Sequence, residues 1–169
     1  DDAVAALGPT NPLLPAFGQR SEQAYNRRVY ERSAGRYALM DRQMVQSVGR
    51  GTVESCDLFS IDRQLIHVKR YTGSGTLSHL FNQGVVSAEL LAYDRTFRQA
   101  FNELLPATQR LAQPAAAIVP SEYEVAYAII PRRGRQLVLP FFSKVTMRNA
   151  ARLLRQIGFR VSLTAIPNP

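Results

Sequence analysis

The sequence predicts an α/β domain built on a mixed β-sheet. Its predicted elements run helix, three strands, two helices, strand, helix, strand, an alternation typical of α/β proteins. The chain has 169 residues, which suits one domain, and 46% of them are hydrophobic, enough for a substantial core. Three consecutive strands joined by short connections predict an antiparallel meander, with the helices flanking the sheet.

The first 20 residues are predicted to be a linker or lead-in. Prolines and glycines interrupt them, leaving at most one short apolar turn near residues 4–7. A single domain is predicted over residues 21–169, and an upstream domain of a longer protein is an expected partner. Ser21 is a typical N-cap, so the first helix is predicted from there to about Ala34, ending at Gly35.

The three strands of the meander are predicted at Tyr37–Val45, Val53–Phe59 and Leu65–Tyr71. Glycines at positions 49 and 51 separate the first two, and a turn over Ser60–Gln64 separates the last two.

Helical periodicity then predicts a helix over Leu77–Ala92 and a second over Asp94–Leu105. Asp94 is the expected N-cap of the second, and Phe97, Phe101 and Leu104 are expected to face inward.

The remaining elements follow a proline- and alanine-rich connector over residues 106–120. A strand is predicted at Tyr123–Ile130, a helix from Pro140 to about Ile157 that ends at Gly158, and a last strand at Arg160–Ile166.

Composition favours a polyanionic partner. The net charge is +8, and the chain has nineteen arginines but only two lysines. Arginine suits phosphate and nucleic-acid contact, although a GC-rich genome would also enrich it. The single Cys56 cannot form an internal disulfide and is expected to be buried. No signal peptide or membrane-spanning run is found, so a cytoplasmic location is expected.

Lys69 is informative because arginine supplies nearly all of the positive charge in this chain. A lysine in such a chain suggests a site that needs a compact ammonium rather than a planar guanidinium. With a five-residue turn, Asp57 lies opposite His67 and Ser55 opposite Lys69, so that these four side chains share one face of the sheet. The other face then holds an apolar set. Its members are Cys56, Leu58, Ile66 and Val68.

This hairpin resembles the core of the PD-(D/E)XK nuclease superfamily, the restriction-endonuclease-like fold. Asp57 matches the first acid of that motif and Lys69 the lysine, while His67 stands where the second acid belongs. The resemblance implies metal-dependent hydrolysis of phosphodiester bonds, with Mg²⁺ or Mn²⁺ as cofactor. Gln83 matches the glutamine of a Gln-x-x-x-Tyr motif on the following helix, but Ser87 replaces the tyrosine.

The resemblance implies roles for the site residues. Asp57 and His67 would bind the metal, Lys69 would orient water or offset charge, and Gln83 would line the site. Either Glu22 or Glu54 could supply the missing carboxylate, and Glu22 is preferred because that superfamily often places an acid on its first helix. His67 could equally pair with Asp57 in the absence of a metal.

Nucleic-acid contacts are expected from basic and phosphate-binding positions outside the hairpin. Gly73–Thr76 offers backbone N–H groups at a helix start, although an ordinary glycine loop capped by Ser74 or Thr76 is the preferred interpretation. The candidate residues are Arg70, Ser74, Thr76, Arg132, Arg133, Arg135 and Arg148.

Several segments also resemble an uncharacterised, sporadically distributed bacterial family of longer proteins. They include Glu54–Leu58, Leu65–Arg70, Thr76–Leu91 and Leu139–Val145. The resemblance implies a defence or restriction context. Three hypotheses stay open: a metal-dependent nuclease acting on DNA, a nuclease-like domain that binds nucleic acid without cutting it, and a protein-interaction module.

Overall fold

A computed structural model describes residues 14–49 and 51–169, so the apolar turn expected near residues 4–7 lies outside the described residues. The helices are α1 (Glu22–Arg32), α2 (Ser74–Tyr93), α3 (Arg95–Leu104) and α4 (Phe141–Ile157). The strands are β1 (Tyr37–Leu39), β2 (Met44–Ser47), β3 (Gly51–Glu54), β4 (Leu58–Ser60), β5 (Gln64–Arg70), β6 (Glu124–Ile130) and β7 (Arg160–Ala165). Short 3₁₀ turns lie at 107–109 and 120–122.

The main sheet is mixed, as predicted, and its strand order is β1-β4-β5-β6-β7. The first three strands are antiparallel neighbours, whereas β5, β6 and β7 run parallel. Helices carry the chain from β5 to β6 and from β6 to β7, which is what parallel neighbours require.

A small hairpin interrupts the antiparallel part of the sheet. The strands predicted at 37–45 and 53–59 each divide in two, and their inner halves pair with each other as β2 and β3. The first division is a turn in which Gln43 N donates to Met40 O and Arg42 has a φ of 62°. Polar residues at positions 41–43 favour this turn. The strand-forming residues on either side of them had indicated one continuous strand.

Both faces of the main sheet are covered, so its central strands are almost wholly buried. On one face α2, α3 and α4 pack over a large core that includes Phe59, Leu65 and Tyr127. On the other, α1 packs over a smaller core that includes Leu58 and Ile66.

Two expectations about side-chain direction are wrong. Leu104 is 40% exposed, and Leu105 is buried instead. Cys56 does not share a face with Leu58, because it packs in the larger core. The reason is that residues 55–57 are not part of a strand, and the alternation of side chains is lost there.

The helix ends follow the capping residues that the sequence supplies. The Ser21 side chain accepts a hydrogen bond from Ala24 N, and the Asp94 side chain accepts one from Phe97 N. Gly158 ends α4 with a φ of 108°, which favours glycine.

The described part of the lead-in packs on the domain. Phe17 is buried, and its backbone N–H donates to Pro167 O at 2.7 Å. The hydroxyl of Tyr25, on α1, donates to Pro15 O at 2.7 Å. Residues 14–20 thus form part of the folded unit.

Candidate active site

The candidate site lies where the β2–β3 hairpin joins the main sheet. The chain leaves the sheet after β1 and returns to it before β4, and the two crossings are adjacent. The backbone N–H groups of Met40 and Asp41 both donate to Asp57 O at 2.9 Å. Acidic residues therefore meet at the base of the hairpin, Asp41 from the segment that leaves the sheet, and Glu54 and Asp57 from the segment that returns to it.

These three acids form a compact cluster. One carboxylate oxygen from each of Asp41, Glu54 and Asp57 lies within 4.8 Å of the other two. Asn26, on α1, is fully buried beneath them, and its Nδ2 donates to Asp41 and to Asp57 at 3.3 Å. The cluster offers hard oxygen donors of the kind that Mg²⁺ and Mn²⁺ prefer.

The Asp57 carboxyl is in an environment that opposes its ionisation. Burial raises its pKa to about 8, and the charges of Asp41, Glu54 and Glu22 act in the same direction. A hydrogen bond from Val68 N to Asp57 Oδ2, at 2.7 Å, acts in the opposite direction. A cation bound at the cluster would offset the repulsion and the desolvation together.

Lys69 lies at the carboxyl end of β5 and contacts the first turn of α1. Its Nζ donates to Glu22 Oε2 at 3.0 Å, and Glu22 Oε1 accepts a hydrogen bond from Arg70 N at 2.9 Å. Both charged side chains are about one-third exposed. An ammonium carries three hydrogens, so Lys69 can donate to further acceptors in the cleft.

His67 lies two residues before Lys69 on β5 and is buried. Its ring is 6.0 Å from that of Tyr127, and its Nε2 has no hydrogen-bond partner among the described residues. Burial lowers the pKa of the imidazole to about 4, so the ring is neutral at physiological pH. A neutral imidazole with an unpaired nitrogen can bind a metal.

All these groups line one cleft with a volume of about 450 Å³. Its ionisable lining comprises Arg20, Glu22, Asp41, Arg42, Glu54, Asp57, His67, Lys69 and Arg70. Four acids are thus gathered beside four cations, in a chain whose net charge is +8.

The structure brings together the residues that the hairpin argument selected. Asp57, His67, Lys69, Gln83 and Glu22 all line the cleft. The predicted register is present where β4 pairs with β5, because Leu58 lies opposite Ile66 and extending that ladder by one step places Asp57 opposite His67. Ser55, however, is buried beside Cys56 and is not part of the lining.

The residues predicted to bind nucleic acid are divided among several places. Arg70 lines the cleft, and Arg132 and Arg133 line a neighbouring groove together with it. Thr76, near the start of α2, exchanges a hydrogen bond with Thr72 at 2.9 Å, and the N-cap of that helix is Gly73. Ser74 begins α2, Arg135 lies in an exposed loop, and Arg148 is exposed on α4.

Sequence reasoning missed Asp41 and Asn26. Asp41 was placed inside a strand, whereas Asp41-Arg42-Gln43 is a polar run typical of a turn. Asn26 follows Glu22 by four residues and therefore lies on the same face of α1. That spacing is the signal that could have identified it. Glu54, considered only as an alternative to Glu22, is the acid that joins the cluster.

Comparison with known proteins identifies a family. The model of DUF6119, a family of unknown function, matches residues 1–167, and the chain therefore belongs to this family. This agrees with the resemblance to an uncharacterised family. No curated protein and no solved structure matches the chain. Within the part of the chain that the structure describes, no helix combines the length and the apolar character needed to cross a membrane.

Proposed function

We propose that this member of the DUF6119 family is a divalent-metal-dependent nuclease that hydrolyses phosphodiester bonds, with DNA as the expected substrate. The observation that carries the proposal is the convergence of Asp41, Glu54 and Asp57 within 4.8 Å, in the same cleft as Lys69. A cluster of acids is costly for a protein unless a cation balances it, and this one lies in a strongly basic chain that suits a phosphate-bearing partner.

The donor set fits Mg²⁺ or Mn²⁺. Asp41, Glu54 and Asp57 would hold the ion through carboxylate oxygens, and the unpaired Nε2 of buried His67 is a second observation in favour of a ligand in this cleft. An ion held by these carboxylates would supply Lewis-acid chemistry, through which a phosphoryl oxygen would be polarised and the pKa of a water molecule would be lowered. Glu22 is held by Lys69 and Arg70 N, so Glu54 is the better candidate for the carboxylate missing from the resemblance.

The protein's own side chains supply the remaining functions. Asn26 holds two of the acids in place through its amide nitrogen. The Lys69 ammonium, kept at the edge of the cleft by Glu22, would offset negative charge that develops on the phosphate. His67, whose neutral form burial favours, could bind the ion through its unpaired Nε2, and Gln83 can donate hydrogen bonds to a phosphate or a base.

The arrangement of the sheet supports a PD-(D/E)XK-like core. The acid and the lysine lie on neighbouring antiparallel segments, after a helix that contributes Glu22 and before a helix that contributes Gln83. The core departs from that pattern in having His67 for the second acid. It also has the β2–β3 hairpin, whose base supplies Asp41 and Glu54.

A cleavage assay tests the proposal. Supercoiled plasmid and single-stranded DNA are incubated with the protein and Mg²⁺, Mn²⁺ or EDTA, and we expect cutting only with a metal. Lys69→Ala should lower the rate by about 100-fold or more, the usual effect of removing one charge-stabilising group. Asp62→Asn is the matched control for acid removal, because Asp62 lies in the exposed β4–β5 turn and pairs with Arg36 at the opposite end of β5.

Two results would contradict the proposal. Lys69→Ala protein that cuts as fast as wild type would exclude this cleft as the site of hydrolysis. Failure of Mg²⁺ and Mn²⁺ to raise the melting temperature of the wild-type protein would exclude the metal site. DNA binding without cutting, with metal bound, would support the second hypothesis, a nuclease-like domain that binds nucleic acid.

A further inference from the structure

A second concavity adjoins the cleft at the carboxyl ends of the three parallel strands. Tyr71 and Thr72 follow β5, Pro131–Arg133 follow β6, and Asn168 follows β7. In sheets with parallel strands, ligands commonly bind outside this edge, where the connecting loops diverge. The lead-in segment at Phe17–Arg20 closes the other side, giving a groove of about 480 Å³.

The groove is strongly basic. Arg20, Arg70, Arg132 and Arg133 line it, and no acidic side chain of the described residues does. The adjacent cleft, in contrast, contains four acids. Arg20 and Arg70 line both concavities, so the acid-rich cleft and the arginine-rich groove are adjacent and share these two side chains.

Hydrogen bonds that involve backbone groups hold the loops around the groove in place. The side-chain amide of Asn168 donates to Pro131 O at 2.8 Å, and Gly134 N donates to Asn168 O at 2.8 Å. Tyr71 N donates to Ile130 O, also at 2.8 Å. The loops after β5, β6 and β7 are thereby held together by hydrogen bonds.

Aromatic rings orient two of the arginines. The Arg70 guanidinium lies 5.4 Å from the ring centroid of Phe17, and that of Arg132 lies 5.7 Å from the centroid of Tyr71. Such cation–π contacts reduce the side-chain freedom that a guanidinium would lose on binding. Oriented guanidinium groups bind phosphate through paired hydrogen bonds.

We infer that this groove binds the phosphate backbone of an unpaired nucleic-acid strand and guides that strand into the acid-lined cleft. The inference rests on the proposed function and adds the substrate class. A groove of about 480 Å³ lies in the size range of small-molecule pockets, which suits one nucleotide of a strand. The rings of Phe17 and Tyr71 line the groove beside its arginines, and aromatic rings next to guanidinium groups offer stacking surfaces to the bases of a single strand.

Binding is tested in EDTA with Asp57→Asn protein, in which the metal site is removed and no cutting can occur. Fluorescence anisotropy is measured with a labelled single strand, a duplex of the same sequence, and inorganic phosphate as competitor. The test variant adds Arg132→Ala and Arg133→Ala. The matched control adds Arg36→Ala and Arg160→Ala, which remove the same charge at the opposite end of the sheet, where β5 and β7 begin.

We expect the single strand to bind more tightly than the duplex, and the groove variant to bind it at least about tenfold more weakly than the control. The slope of log affinity against log salt should fall by about 1.4 in the groove variant, for two lost phosphate contacts. Inorganic phosphate should compete only at high concentration.

The inference is overturned if both double variants lose affinity equally, since general charge would then explain binding, or if the duplex binds as tightly as the single strand. Failure of the proposed function is recognised separately, by wild-type protein that shows neither metal-induced stabilisation nor cutting. Arginine-dependent binding of the single strand would stand even then.

Discussion

Asp57→Asn should make the metal-free protein more stable, by an amount that grows with pH. The carboxyl has a pKa near 3.8 when exposed and about 8 in the folded protein, mainly because folding buries it. Below about pH 4 it is protonated in both states and costs nothing. Between about pH 4 and pH 8 the unfolded state ionises first, so that this group lowers the free energy of unfolding progressively.

The magnitude follows from the shift. At pH 7 the carboxyl is ionised in the unfolded state but mostly protonated in the folded state. Because pH 7 is roughly three units above the unfolded pKa, the free energy of unfolding is lowered by an amount on the order of 4 kcal/mol. This is an upper value, because the carboxylate reaches the cleft and water there screens its charge. An asparagine avoids the cost and can still accept the hydrogen bond from Val68 N, and the Asn26 amide nitrogen can still donate to Asp41.

The assay is thermal unfolding in EDTA between pH 4.5 and pH 8, with Asp62→Asn as control. We expect the melting temperature of Asp57→Asn to exceed that of wild type by up to roughly 10 °C at pH 8, and by little at pH 4.5. Added Mg²⁺ or Mn²⁺ should stabilise wild type and not the variant. A variant that gains the same stability at both pH values, or loses stability at both, would refute the reasoning.

Two further substitutions test how the site is supported. Gly84→Ala should lower the free energy of unfolding by about 1–3 kcal/mol in chemical denaturation, because its Cβ would lie 2.3 Å from the hydroxyl of Tyr127, the residue that packs against His67. Gly75→Ala, in the same helix with no atom within 4 Å, should instead be neutral or stabilising, and equal losses would contradict this account. Asp94→Ala should cost about 1–2 kcal/mol, since it removes the N-cap of α3 and the bond from Val48 N that ties the hairpin down. We also expect faster hydrogen exchange of the backbone amides at residues 44–54. Unchanged exchange there would contradict a stabilising role for the hydrogen bond from Val48 N to Asp94.

Local chemistry explains which elements were predictable. Ser21, Asp94 and Gly158 mark helix ends through hydrogen bonds and backbone conformation that involve only nearby residues, and all three act as expected. The pairing of β4 with β5 was also predictable, because a short turn leaves few registers open and one of them buries Leu58 and Ile66 together.

The acid cluster was not predictable in the same way. Asp41 and Glu54 became neighbours of Asp57 because the chain leaves the main sheet to form β2–β3 and returns at the same point. The local sequence does not indicate that the strands predicted at 37–45 and 53–59 each divide into one part in the main sheet and one part in the β2–β3 hairpin. The burial that raises the pKa of Asp57 likewise comes from α1 packing over the crossing, through Asn26.

The sequence by itself determined the order of helices and strands, the mixed sheet and the choice of Asp57, His67 and Lys69, since propensity, capping and short-range pairing act between residues close along the chain. Only the tertiary structure decided which further acids join them and that an arginine-lined groove adjoins the cleft. The groove brings together residues up to about 150 positions apart, such as Arg20 and Asn168, and it exists only once packing of the sheet has brought distant loops to one edge.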